Sequence, residues 1–114
     1  MSETYHNVEV ELLPEPGAGV ALSGELDMSD AEAVHGLLAQ LAADAAPAAV
    51  LVDLRGLAFI DSHGIRALFF ARDDAERAGG RITICSDGPV RRTLEMVDAG
   101  SAFEIVSEPP DGER

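Results

Sequence analysis

The stretch Phe59-Ile60-Asp61-Ser62-His63-Gly64-Ile65 sets a carboxylate, a hydroxyl and an imidazole on three consecutive residues between two apolar runs. At a strand-to-helix corner such residues could do three things. Ser62 could cap the helix, its oxygen accepting from the free N–H groups of the first turn, a contribution of roughly 1 kcal/mol. It could accept a phosphoryl group, because a serine oxygen there lies where backbone donors and the positive end of the helix dipole would receive a phosphate. Or it could be a nucleophile, as at the G-x-S-x-G corner of hydrolases. The third fits poorly: Ile60 stands at the first glycine position, His63 cannot readily turn back onto its neighbour's hydroxyl, and no other base is marked. The chain is therefore expected not to be an enzyme, while capping and phosphate acceptance both stand on spacing alone.

The elements that must position this corner lie on either side of it. Ala49-Val50-Leu51-Val52-Asp53-Leu54 is a short run rich in β-branched residues and too brief for a core helix, so a buried strand is predicted over 49–54. Arg55-Gly56-Leu57-Ala58 reads as a connector. After the corner, Ile65, Leu68, Phe69 and Ala75 recur at helical spacing with Arg66, Asp73, Asp74 and Arg77 toward water, until Gly79-Gly80 stops the helix. Phe70 fits neither face and is read either as the margin of the core or as an exposed anchor for a partner.

Upstream, Val8-Glu9-Val10-Glu11-Leu12 alternates as a half-buried strand does. Pro14, Pro16, Gly17 and Gly19 force a turn, Val20-Ala21-Leu22 returns antiparallel, and Gly24 is read as breaking that strand. Ser29-Asp30-Ala31-Glu32 has the form of a capping box, opening a helix with Ala31, Val34, Leu38 and Leu41 inward that Asp44 and Pro47 close. His35 lies off that stripe and is read as a surface residue without metal-ligand spacing around it. Downstream, Arg81-Ile82-Thr83-Ile84-Cys85 reads as a strand. A helix follows with Pro89 at its first position, Val90, Leu94 and Val97 inward and Gly100 at its end, and then a strand over 103–106. The alternation predicts an α/β fold with a largely parallel sheet and right-handed crossovers, in which reactive groups gather beyond the carboxyl ends of the strands.

Composition bounds the rest. The 114 residues suit one domain with a real core, mainly aliphatic since Trp is absent and Tyr occurs once. The 21 acidic residues outweigh 8 basic ones, all arginine, for a net charge of −13. That field disfavours nucleic acid or an anionic membrane as direct partner and would speed encounter with a basic protein surface. No apolar run nears the roughly 20 residues of a membrane span, and the N-terminus has neither basic flank nor apolar signal core, so a cytoplasmic protein is expected. The single cysteine, Cys85, sits in a strand pattern and is read as a small buried hydrophobe.

Asp61-Ser62-His63-Gly64, preceded by Val50-Leu51-Val52-Asp53-Leu54 and Phe59-Ile60, resembles the signature of the STAS family, the anti-sigma factor antagonists. Leu22-Ser23-Gly24-Glu25-Leu26-Asp27 resembles the turn that precedes that family's first helix. The two matches fall in the right order, and the similarity covers about residues 8–106 of a single domain, 1–114, with a flexible tail over 107–114. It implies a small mixed β-sheet with βα crossovers and helices packed on one face, one flank barer than in members that carry a further C-terminal helix.

For function, the resemblance implies an anti-sigma factor antagonist that binds an anti-sigma factor serine kinase and frees the sigma factor. Phosphorylation of Ser62 would switch it off and a serine phosphatase would reset it. Asp27, Asp61, His63 and Gly64 would form the partner-binding surface, with no cofactor, no metal, no nucleic acid and no membrane insertion, and with room for a weak homodimer. The phosphate would add roughly −1.5 to −2 charge beside Asp61 and Asp27, spoiling docking while the domain stays folded. Family members often carry a second hydroxyl where this chain has His63, which either tolerates the change or makes docking respond to pH near about 6 to 7. The alternative is a non-phosphorylated STAS scaffold or an accessory subunit of a transport or signalling assembly. No glycine-rich phosphate loop is present to hold a nucleotide.

Overall fold

The computed structural model describes residues 2–14 and 18–109. Six strands form one mixed sheet in chain order: β1 (Ser2–Thr4), β2 (Val8–Leu12), β3 (Ala18–Leu26), β4 (Ala49–Ile60), β5 (Arg81–Cys85) and β6 (Glu104–Val106). The first three run antiparallel; β3, β4, β5 and β6 are parallel neighbours. Helices α1 (Ala31–Ala45), α2 (Ser62–Arg77) and α3 (Gly88–Met96) make the three crossovers. Right-handed connections between successive neighbours put all three on one face, as expected.

Alternation then sorts the side chains. Val20, Val52 and Ile84 pair directly across three strands and are fully buried under the helices. One residue on, the row Ala21, Asp53 and Cys85 points the other way. There Arg55 grips Asp53 with two hydrogen bonds, Nε to Oδ1 at 3.0 Å and a terminal nitrogen to Oδ2 at 2.8 Å. Cys85 is free and wholly buried, as its strand pattern suggests.

The strand around the corner is longer than its alternation predicts. Residues 55–58 continue β4 and are not a connector. Asp53 pairs with Ala21 but Gly56 with Ser23, and Leu57 pairs with Gly24 but Phe59 with Glu25, so β4 carries one extra residue at each of two bulges. Each bulge turns the following residue over, and the buried positions Leu54, Leu57 and Ile60 fall three apart. Gly24 likewise does not end β3. Its φ is +94°, and a Cβ there would lie 2.4 Å from the carbonyl oxygen of Asn7, so only glycine lets β2 and β3 approach so closely.

Further differences sit at the helix ends. Position Ncap of α1 is Asp30, and no side chain caps there, so Ser29 and Glu32 do not form the expected box. The α1 stripe is Val34, Leu38 and Ala42, with Leu41 half-buried. Helix α3 begins at Gly88, so Pro89 is its second residue; it ends at Met96, ahead of Gly100, and leaves Val97 exposed. Strand β1 has no counterpart in the sequence reading, and the turn residues Pro16 and Gly17 and the tail over 110–114 lie outside the described residues.

Candidate functional site

Strands β3 and β4 deliver their last residues side by side. Leu26 pairs with Ile60, and the Asp61 N–H donates to the Leu26 carbonyl at 3.2 Å, so Asp27 and Asp61 leave the sheet at the same carboxyl edge. Asp27 folds its own loop: it accepts the Ser29 N–H at 3.0 Å and the Asn7 side-chain amide at 3.2 Å. Asp30 holds the loop from behind. Its carboxylate is 1% exposed and accepts the backbone N–H groups of His6, Asn7 and Val8 at 2.9, 2.7 and 2.9 Å. Burial opposes its charge, but those donors and the His6 ring outweigh burial and hold the carboxyl below the usual range.

Asp61, not Ser62, is the N-cap of α2. Its backbone is extended and its Oδ1 accepts the Gly64 N–H at 3.0 Å. Here too burial works against the charge, and the N–H groups of Gly64 and His63, with the His63 ring, outweigh it and lower the carboxyl's proton affinity. Ser62 becomes the first helical residue, exposed, its hydroxyl without a hydrogen-bond partner among the described residues. His63 is also exposed, its Nδ1 3.6 Å from Asp61 Oδ2. Gly64, expected on the partner-binding surface, is instead buried: a Cβ there would lie 2.7 Å from the Leu26 carbonyl oxygen and 2.8 Å from Ile60 Cγ1. Its lack of a side chain seats α2 against β3 and β4.

Small residues continue that seat. Ala67, Leu68, Ala71 and Ala75 are the buried positions of α2, while Ile65 and Phe69 are only half-buried. On the outer side α1 and α2 form a shallow groove lined by Ala31, Glu32, His35, His63, Arg66 and Phe70. Phe70 is exposed, which settles its place. His35 is not a plain surface residue: its Nε2 lies 2.7 Å from Asp74 Oδ2 and its ring leans on Phe70 at 5.7 Å between centroids, tying α1 to α2. Met28 and Phe59, 69% and 48% exposed, add an apolar margin next to Asp27 and near Asp61. Neither was legible as exposed, since Phe59 lies beyond a bulge; Arg66 was, one helical turn beyond Ser62.

A family model described as "Mlab, STAS domain" matches residues 13–106. The chain belongs to the STAS domain family. Among solved structures this STAS domain is similar to an anti-sigma factor antagonist from Mycobacterium paratuberculosis, with a TM-score of 0.78 and 24% identity over 91% of this chain and 89% of that one. It is similar to the Bacillus cell fate determinant SpoIIAA in its phosphorylated form, with a TM-score of 0.61 and 20% identity over 87% and 92%. A third likeness is to the murine anion transporter Slc26a9, with a TM-score of 0.67 and 18% identity over 86% of this chain but 17% of that one. At these identities the likenesses speak for the fold. No curated protein matches the chain. Among the described residues no helix is long and apolar enough to cross a membrane.

Proposed function

We propose that this STAS domain is an anti-sigma factor antagonist acting in the cytoplasm, controlled by phosphorylation of Ser62. Unmodified, it binds an anti-sigma factor serine kinase and releases the sigma factor. The kinase transfers the γ-phosphoryl group of ATP to Ser62 Oγ, with ADP and the hydroxyl proton leaving, and a serine phosphatase restores the hydroxyl. The observation that carries this reading is the division of labour at the corner: Asp61 caps α2, which leaves an exposed Ser62 hydroxyl with no hydrogen-bond partner among the described residues. Asp27 and Asp61 leave the same sheet edge beside it, His63 is its exposed neighbour, and Met28 and Phe59 add apolar surface against which a partner's apolar contact would pack. A solvated phosphate beside that apolar margin would break a close fit and add a desolvation cost to docking, without disturbing the core.

A second reading, a non-phosphorylated scaffold within a transport or signalling assembly, draws on the likeness to one part of an anion transporter. Intact mass separates the two. The protein is incubated with ATP and each anti-sigma kinase of its own genome, and wild type is compared with Ser62→Ala. A gain of about 80 Da that the variant lacks is the expected result; no gain with any kinase, while one still binds, would leave the scaffold.

A further inference from the structure

The cap on α2 has a consequence for the phosphate itself. The Gly64 N–H, which a phosphate at the helix start would otherwise recruit, already serves Asp61, and the His63 N–H also faces that carboxylate. A dianion on Ser62 therefore finds the Gly64 and His63 N–H groups engaged and two carboxylates, Asp61 and Asp27, at the same sheet edge. A side-chain cation within reach would meet that charge.

One cation is placed for it. Arg66 follows Ser62 by four residues, so the two stand one above the other on α2, with the acidic member first, the favourable order for an i, i+4 pair. Arg55, Arg72, Arg77 and Arg91 each face a carboxylate. Arg66 has no ion pair among the described residues, in a chain with 21 acidic side chains. Arg81 and Arg92 share that condition, but they lie on β5 and α3. Arg66 instead lines the α1–α2 groove with His63, His35 and Glu32, the groups that compete for its guanidinium or share its surroundings.

Resting on the reading of Ser62 as phosphoacceptor, we propose that Arg66 is the resident counter-cation of phosphorylated Ser62, swinging back one helical turn to take the phosphate in its guanidinium fork and leaving the α1–α2 groove. The planar fork matches phosphate oxygens with paired N–H donors, which an ammonium does not. Phosphorylation thus changes two surfaces together: the corner gains a partly neutralised phosphate, and the groove loses its arginine and keeps Glu32 and the Phe70 ring.

The test needs no kinase. Phosphoserine is installed at position 62 of the full chain by genetic encoding, and its second ionisation is followed by 31P NMR in wild type, Arg66→Gln and Arg66→Lys. A counter-cation favours the dianion, so the wild-type phosphate should titrate lower than that of Arg66→Gln by about 0.5 pH unit, with Arg66→Lys between them. The gap should narrow in about 1 M salt. Superimposed titration curves for wild type and Arg66→Gln, in variants that melt alike, would overturn the proposal. A kinase experiment without mass gain would strike the phosphoacceptor reading alone, because the installed phosphate reports on Arg66 either way.

Discussion

The Asp61 carboxylate accepts the Gly64 N–H at 3.0 Å, and the neighbouring Ser62 hydroxyl is thereby released from the fold. Removing the first group should cost stability and removing the second should not. Asp61→Ala is expected to lower stability by about 1 kcal/mol, the usual worth of an N-cap, and Ser62→Ala to stay within about 0.5 kcal/mol of wild type. Urea unfolding midpoints decide it; equal losses would return the capping role to Ser62.

Gly64 makes the sharper structural demand. A methyl group there meets the Leu26 carbonyl at 2.7 Å, and backbone cannot yield as a side-chain tip can. Gly64→Ala should destabilise by about 1–3 kcal/mol and tilt the start of α2 away from β3. Thermal melting gives the loss, and amide shifts of Asp61 and Ser62 report the displacement. A variant as stable as wild type with unmoved shifts would contradict the packing described.

Acid should remove what the Asp30 carboxylate contributes. Its folded-state proton affinity lies below that of the unfolded chain, so its contribution is complete above the ordinary carboxylate range, about pH 4, and is lost as the pH falls from there through the lower folded value. Asp30→Asn leaves buried N–H donors facing an amide, and should cost about 2–3 kcal/mol at pH 7. The gap between wild type and variant should shrink in denaturant titrations from pH 5 to pH 2. A gap constant across that range would mean the charge is not what holds the β1–β2 loop to α1.

Cys85 offers a probe of global opening. It is wholly buried, and burial together with the Asp53 carboxylate pushes its thiol up, against a smaller opposing pull from Arg55. Alkylation by iodoacetamide in native buffer should run on the order of 1000-fold slower than in urea, limited by the unfolded population of a marginally stable domain. A rate close to that of a free thiol would place Cys85 at the surface and refute the packing of β5.

The sequence disclosed the order of the elements from β2 onward and the placing of Asp27 and Ser62 at one sheet edge, because both follow from alternation, helical spacing and the handedness of crossovers. It concealed what depends on register. The two bulges in β4 shift the buried positions from every second residue to every third, so residues 55–58 read as a connector. Capping was misread at two helices: the α2 cap sits one residue earlier, at Asp61, and α1 has no side-chain cap. Asp, Ser and Asn all cap well, and only the approach of the β1–β2 loop turns Asp30 away from its own helix. The His35–Asp74 pair spans 39 positions and depends on how two helices lie together, which no local pattern records.

The agreement between strand order in the sheet and strand order in the chain bears on how the molecule comes into being. Every strand docks on the one made just before it, so no early segment must wait, unpaired, for a late one. Closure entropy is spent over one hairpin or one βα unit at a time. On a ribosome the sheet can grow one strand at a time from the N-terminus. The corner that carries Ser62 would be formed, with Asp27 already beside it, before β5 emerges.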